Sequence, residues 1–160
     1  MKFGFTLFAG VMVAGAIGTT AISDSHVDKA LLAAANARQA QMQLYNFNAG
    51  LLFQMAKGDV EYDADAAQGA ASNLAAQARM NQSRYWPQGS DNGALGDATR
   101  ALPAIWTSES KAGEYGKALA DAASAMDGAA GQGLDALRGA IGPIGKACTS
   151  CHEDYRKPFN

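Results

Sequence analysis

Charge is scarce in this chain. Asp, Glu, Lys and Arg make up 18% of its 160 residues and leave a formal net charge of −2. Such a chain has no basic footprint for a nucleic-acid backbone. Its 48% hydrophobic content is also too high for disorder. Aromatic residues are only 8%, and β-branched residues are sparse, which argues against an all-β fold. There are two cysteines, Cys148 and Cys151. Three positions apart, they cannot frame a disulfide scaffold, and a bridge between them would close too short a loop to stabilise much. There are also only two histidines, His26 and His152. No Ser/His/Asp arrangement is available, so hydrolytic catalysis of that kind is excluded. What the chain has in excess is alanine, about a fifth of its residues against a usual mixed apolar composition. Runs such as Ala33-Ala34-Ala35 favour helix, because alanine loses no side-chain entropy there.

Lys2 precedes an apolar stretch from Phe3 to about Gly18, followed by the small residues Thr19, Thr20, Ala21 and Ser23. This reads as a secretory signal peptide over residues 1–23, cleaved after Ala21 or Ser23. It is short for a membrane anchor. The expected mature domain is 24–160, exported to the periplasm. No second apolar stretch approaches membrane length, so no membrane association is expected after cleavage.

Four helical segments follow. From about His26 to Lys57 there is no proline, and Leu31, Ala35, Arg38, Met42, Tyr45, Ala49, Leu52 and Ala56 recur at alternating four-and-three spacing. That is an inward-facing helical seam. Gly58 ends it. Asp63 is a plausible N-cap for a second helix over Ala64 to Asn81. Residues 83–102 shift to Pro, Gly, Asp and Asn and read as a loop with at best one helical turn. A third helix is expected from Pro103 or Ser108 to about Met126, and a fourth from about Gly131 to Tyr155. Pro143 lies inside the fourth, and a kink or break is expected there. Four amphipathic helices with one long connection make an all-α, antiparallel four-helix bundle the economical architecture. Its C-terminal helix would carry the chemistry.

That chemistry is in Cys148-Thr149-Ser150-Cys151-His152. The C-x-x-C-H pattern is the attachment signature of c-type haem. Two thiols three residues apart on a helix can add to the two vinyl groups along one haem edge. The histidine, one turn beyond the first cysteine, can then swing under the iron as a proximal ligand. A structural zinc site would need four ligands, and beyond these three only His26 remains, reading as a solvated side chain. A thioredoxin-like pair would need a βαβ context.

The placement of the motif in the last helix resembles class II cytochromes c, and the cytochrome c′ family most. Arg38-Gln39 resembles that family's Arg-Gln. Lys57-Gly58 followed by Tyr62-Asp63-Ala64 is similar to its first inter-helix turn. Ile105-Trp106 is similar to the entry to its third helix. Gly145-Lys146-Ala147-Cys148 through Tyr155-Arg156 resembles its C-terminal helix. Pro143 and Trp86-Pro87 depart from the pattern without touching a haem-linking position. The resemblance implies a four-helix bundle with one haem c held through two thioethers. His152 would be the iron ligand.

Arg38, on the inward seam, needs an anion if buried, and a haem propionate is the complementary one; otherwise it is a rim arginine. Arg156, four residues after His152, reads either as a neighbour of the proximal haem face or as a solvated terminus. Met42, one turn after Arg38, should face the haem opposite His152. As a sixth ligand it would make the iron low-spin and the protein a dedicated electron carrier. As an uncoordinated lid it would leave a five-coordinate iron in an apolar pocket for nitric oxide or carbon monoxide. In low-spin class II members the ligand methionine comes about one turn later, where this chain has Tyr45. The expectation is therefore the lid, in a gas-binding or electron-transfer haem protein rather than an enzyme with its own turnover. Tyr45, Phe53, Trp106 and Tyr155 are candidates for haem-edge packing. Apolar residues on the outer faces of the first two helices, and the pairing of class II relatives through them, imply a homodimer. No redox partner is legible.

Overall fold

The computed structural model describes residues 21–158, with side chains from Lys29 onward. The proposed signal segment and His26 lie outside the described residues or side chains. The main helices are α1 (Ala21–Lys57), α2 (Ala64–Ala78), α3 (Ala112–Ala129) and α4 (Leu134–Tyr155). Among the described residues there is no strand, only an isolated antiparallel bridge between Ala101 and Arg156. The architecture is the expected four-helix bundle.

The α1 seam falls where its spacing puts it. Ala35, Arg38, Tyr45, Ala49 and Leu52 are buried, and Leu31, Met42 and Ala56 are half-buried. Gly58 ends α1 with φ +83, a left-handed conformation that glycine adopts without a Cβ penalty. Asp63 caps α2 by accepting the Ala66 N–H at 2.8 Å, which satisfies one orphan donor of the first turn. Along α2, Ala67, Ala70, Ala71, Leu74 and Ala75 are buried. They meet Ala122, Ala123 and Met126 of α3 and Leu137 and Ile144 of α4 in one core. Small side chains let the helices approach closely. The Tyr62 hydroxyl ties the α3–α4 turn to the start of α2, donating to the Ala130 carbonyl at 2.8 Å and accepting the Gly133 N–H at 3.0 Å.

Two expectations change. The break at Pro143 does not occur, since α4 runs unbroken through it. Proline costs a helix interior about 3 kcal/mol, largely through the lost bond to residue i−4. Here that residue is Gly139, and both Gly139 and Pro143 face solvent, so water can take up the released carbonyl. Leu137 and Ile144, fully buried on either side, hold the helix to the core. The 83–102 region is also more ordered than a plain loop. It contains 3-10 turns at Ser83–Tyr85 and Gly96–Ala98 and a one-turn helix at Asn92–Leu95. Pro103–Trp106 forms a separate 3-10 turn, so α3 begins only at Ala112. The sequence reading missed this because Asp91 caps a local turn, accepting the Gly93 and Ala94 N–H groups.

Candidate haem site

α4 brings the motif to the inner face of the bundle. Gly145, one turn before Cys148, lies against α1: a Cβ there would come within 3.2 Å of the Phe53 ring. Cys148, Cys151 and His152 are all half-buried. Cys151 and His152 line an open cleft of about 530 Å³, solvent mouth included, and Met42 of α1 lines the same cleft. Cys148 packs against the core beside it. Arg38 and Arg156 also line the cleft. The structure thus gathers five of the six sequence-predicted site residues on one cavity and places the sixth, Cys148, one helical turn away. Of the four aromatic candidates Tyr155 lines the cleft, whereas Tyr45 and Phe53 belong to the core.

The electrostatics suit a haem donor set. Burial lowers the His152 pKa, and the charges of Arg156 and Arg100 lower it further, so the imidazole is neutral and its lone pair is available to a metal. Burial raises both thiols. They are kept protonated, the form that can add sulfur to one vinyl carbon and hydrogen to the other.

Arg38 has protein partners that the sequence did not reveal. It is 4% exposed, yet the partners the structure gives it are neutral oxygens. Nη1 donates to the Tyr85 carbonyl at 2.8 Å and to Ser90 Oγ at 3.1 Å. Nη2 donates to the Ser90 carbonyl and to Thr99 Oγ1, each at 2.9 Å. The guanidinium also stacks on Trp86, 4.6 Å from the ring centroid. Burial lowers its pKa, but a guanidinium stays charged in proteins. All four Nη hydrogens therefore hold the 83–99 segment against α1.

That segment supplies the cleft wall that sequence reasoning missed. Trp86, Thr99 and Arg100 line it, with Ile105 just beyond. Trp86 was visible only as a departure from the family pattern. Its carbonyl accepts Trp106 Nε1–H at 3.0 Å, and the two indoles lie 6.3 Å apart. The segment is also fixed to the end of α4. Leu102 N–H donates to the Tyr155 carbonyl at 3.0 Å and Lys157 N–H to the Arg100 carbonyl at 2.9 Å. The Tyr155 hydroxyl accepts the Lys111 N–H at 2.7 Å, pinning the start of α3.

A helical bundle with a haem-attachment motif on its last helix defines the class: a c-type haem protein of the four-helix kind. The profile of the family described as Cytochrome C′ matches residues 33–156, and the chain belongs to that family of haem proteins. It is 41% identical over 120 residues to cytochrome c-554 of Cereibacter sphaeroides, covering 75% of this chain and 78% of that one. Its fold is similar to that of the solved cytochrome c′ from Rhodobacter sphaeroides, with a TM-score of 0.77 and 32% identity over 81% of this chain and 98% of the other. It is also similar to a variant of Alcaligenes xylosoxidans cytochrome c′ solved in the ferrous state with bound NO. There the TM-score is 0.66 and the identity 27%, covering 79% and 94%.

Proposed function

We propose that this chain is a periplasmic haem protein with one haem c, bound through thioethers to Cys148 and Cys151 and ligated by His152. Met42 is an uncoordinated lid on the opposite face. The pocket takes small neutral gases such as nitric oxide or carbon monoxide, and the protein also passes electrons, without enzymatic turnover of its own. The observation that carries this reading is the single cleft on which α4 presents Cys151 and His152 while α1 presents Met42. The NO-bound relative supports the choice of gas. When bound, haem supplies an iron centre for gas binding and one-electron exchange. The chain's part is to present a neutral imidazole on one side and to fill the other side with a flexible thioether. Arg38 keeps the loop wall closed over the edge, and Arg156 stands beside His152.

The molecule is also proposed to be a homodimer. Phe47 on α1 is 78% exposed and Leu44 is 51% exposed. These are three positions apart on one outward face, where large apolar side chains are usually covered by a partner. Sedimentation at micromolar concentration should give twice the mature mass; a purely monomeric species would exclude the pairing.

Absorption spectra of the ferric and ferrous protein test the site. Haem should stay on the protein in acid acetone, and the resting spectrum should be high-spin or mixed-spin. Met42→Ala should raise carbon monoxide affinity without changing the number of protein ligands. A low-spin spectrum with a sulfur-to-iron charge-transfer band near the red edge would make Met42 the sixth ligand and the protein an electron carrier. Haem that extracts completely would end the reading.

A further inference from the structure

Two bulky side chains stand on the α1 side of the cleft, Met42 and Trp86, and they are held very differently. Arg38 and Met42 lie one turn apart on the inward seam of α1, and both line the cleft. The Trp86 ring lies over the Arg38 guanidinium, 4.6 Å from it. The indole therefore shares the side of the cleft that Met42 occupies, whereas His152 comes from α4.

Trp86 is fastened at three points. Its face rests on a guanidinium whose Nη groups are engaged by Tyr85, Ser90 and Thr99. That cation cannot follow a moving ring without releasing the loop. The Trp86 Nε1–H donates to Gln82 Oε1 at 3.3 Å. Gln82 is itself held, because its Nε2 donates to the Tyr45 hydroxyl at 3.0 Å. Tyr45 is buried, and its hydroxyl donates to the Gln77 carbonyl at 3.2 Å. The third point is the backbone: the Trp86 carbonyl accepts Trp106 Nε1–H at 3.0 Å. Turning the indole out of the cleft would forfeit the stack and the Nε1–H bond together. Met42 is a different kind of neighbour. Its unbranched thioether turns about three bonds and has no N–H or O–H to leave unpaired. One side of the pocket thus combines a soft lid with a stiff wall.

We propose that Trp86 sets the size of ligand this pocket accepts. A two-atom gas needs only the room that Met42 vacates when it turns. A branched ligand needs room that the indole occupies, and the indole does not yield. Specificity of this kind is built by a clash against the larger ligand, not by added attraction for the smaller. This rests on the gas-binding reading above. It assigns separate tasks: Met42 governs how tightly a small ligand is held, and Trp86 governs which ligands are admitted.

The test uses the ferrous mature holoprotein and its Trp86→Leu, Trp86→Phe, Met42→Ala and Trp106→Phe variants, each checked for covalent haem in acid acetone. The probes are carbon monoxide, methyl isocyanide and tert-butyl isocyanide, neutral ligands that share a carbon donor and differ in bulk. Binding is titrated by absorption, and the readout is each isocyanide's affinity relative to carbon monoxide. A difference of one methylene in a tight pocket already discriminates about tenfold. The tert-butyl ratio should therefore rise by roughly tenfold or more in Trp86→Leu. It should rise by a smaller factor in Trp86→Phe, which keeps a ring over Arg38. The methyl ratio should move less than the tert-butyl ratio in both. Trp106→Phe removes the donor to the Trp86 carbonyl but keeps the bulk of the Trp86 indole, so its ratios should stay within about twofold of wild type. A rise in Trp106→Phe as large as in Trp86→Leu would mean that a loosened loop admits the ligand, which overturns the assignment. A larger rise in Met42→Ala than in Trp86→Leu makes the lid the filter and overturns it as well. Should Trp86→Leu fail to fold, Trp86→Phe decides alone. A wild-type tert-butyl ratio in the deciding variant, with haem retained and carbon monoxide bound, overturns the Trp86 assignment and leaves the gas-binding reading standing. A wild type that gives up its haem or binds no carbon monoxide overturns both.

Discussion

The two ends of this bundle are held together by opposite means. Around Leu74, Ala123, Met126 and Leu137 the contacts are apolar and fully buried. They follow from helical spacing. At the cleft end the 83–102 segment is attached to α1 through two neighbouring side chains: Arg38, which bonds to three residues of the loop, and Gln39, whose Nε2 donates to the Ala98 carbonyl at 2.7 Å. The first end distributes its stability over many small residues. The second concentrates it, so one substitution can alter the geometry of a whole wall. Placing the rigid mass away from the cofactor and the polar hub beside it lets the site be tuned without refolding the bundle.

Leu74→Ala should show the largest loss of stability, about 2–5 kcal/mol, because alanine neighbours cannot collapse far into the cavity. Its haem spectrum should match wild type; a changed spectrum would mean that the two ends are not separable. Arg38→Met should cost less overall, on the order of 1–3 kcal/mol. Its effect should be local: faster amide hydrogen exchange in residues 83–102 and a perturbed haem spectrum, with exchange in α2 and α3 unchanged. Tyr155→Phe should follow at about 1 kcal/mol, since it removes the acceptor of the Lys111 N–H. Arg84→Ala, on an exposed side chain, should lie within about 0.5 kcal/mol of wild type.

The smallest effect should be one of pH. Tyr115 donates to Asp154 across α3 and α4, and that hydrogen bond pushes the phenol pKa up to about 12. A phenol whose folded pKa is raised contributes stability below its ordinary value near 10, lost as pH rises through about 12. Thermal midpoints measured between those values should fall more steeply in wild type than in Tyr115→Phe. Parallel curves would show the bond contributes nothing.

The difference between the two ends also governs what the sequence discloses. The seam of α1 and the buried alanines of α2 are periodic, and periodicity survives in one dimension. The C-x-x-C-H motif is local, and so is its position in the last helix. Arg38 was legible as a buried cation, but its partners were not. They lie 47 to 61 residues away, and two of the four acceptors are backbone carbonyls, which every residue has. Arg100 sits in a stretch that composition marks only as polar. Nothing in its immediate neighbours distinguishes it from Arg84, which is exposed. The continuity of the helix through Pro143 was not legible for a related reason: the cost of the proline depends on whether the freed carbonyl meets water, which is decided by the facing of the helix within the bundle.

Tyr155 has a consequence for the order of folding. Its hydroxyl fixes the start of α3 and its carbonyl fixes the end of the loop, yet it is the last residue of the last helix. During synthesis α1, α2 and α3 can form and begin to associate as they emerge. The cleft wall cannot acquire its final attachment until Tyr155 has been made, and by then the attachment motif, three to seven residues earlier, has been made as well. The last attachment of the wall therefore requires a chain that already carries both thiols.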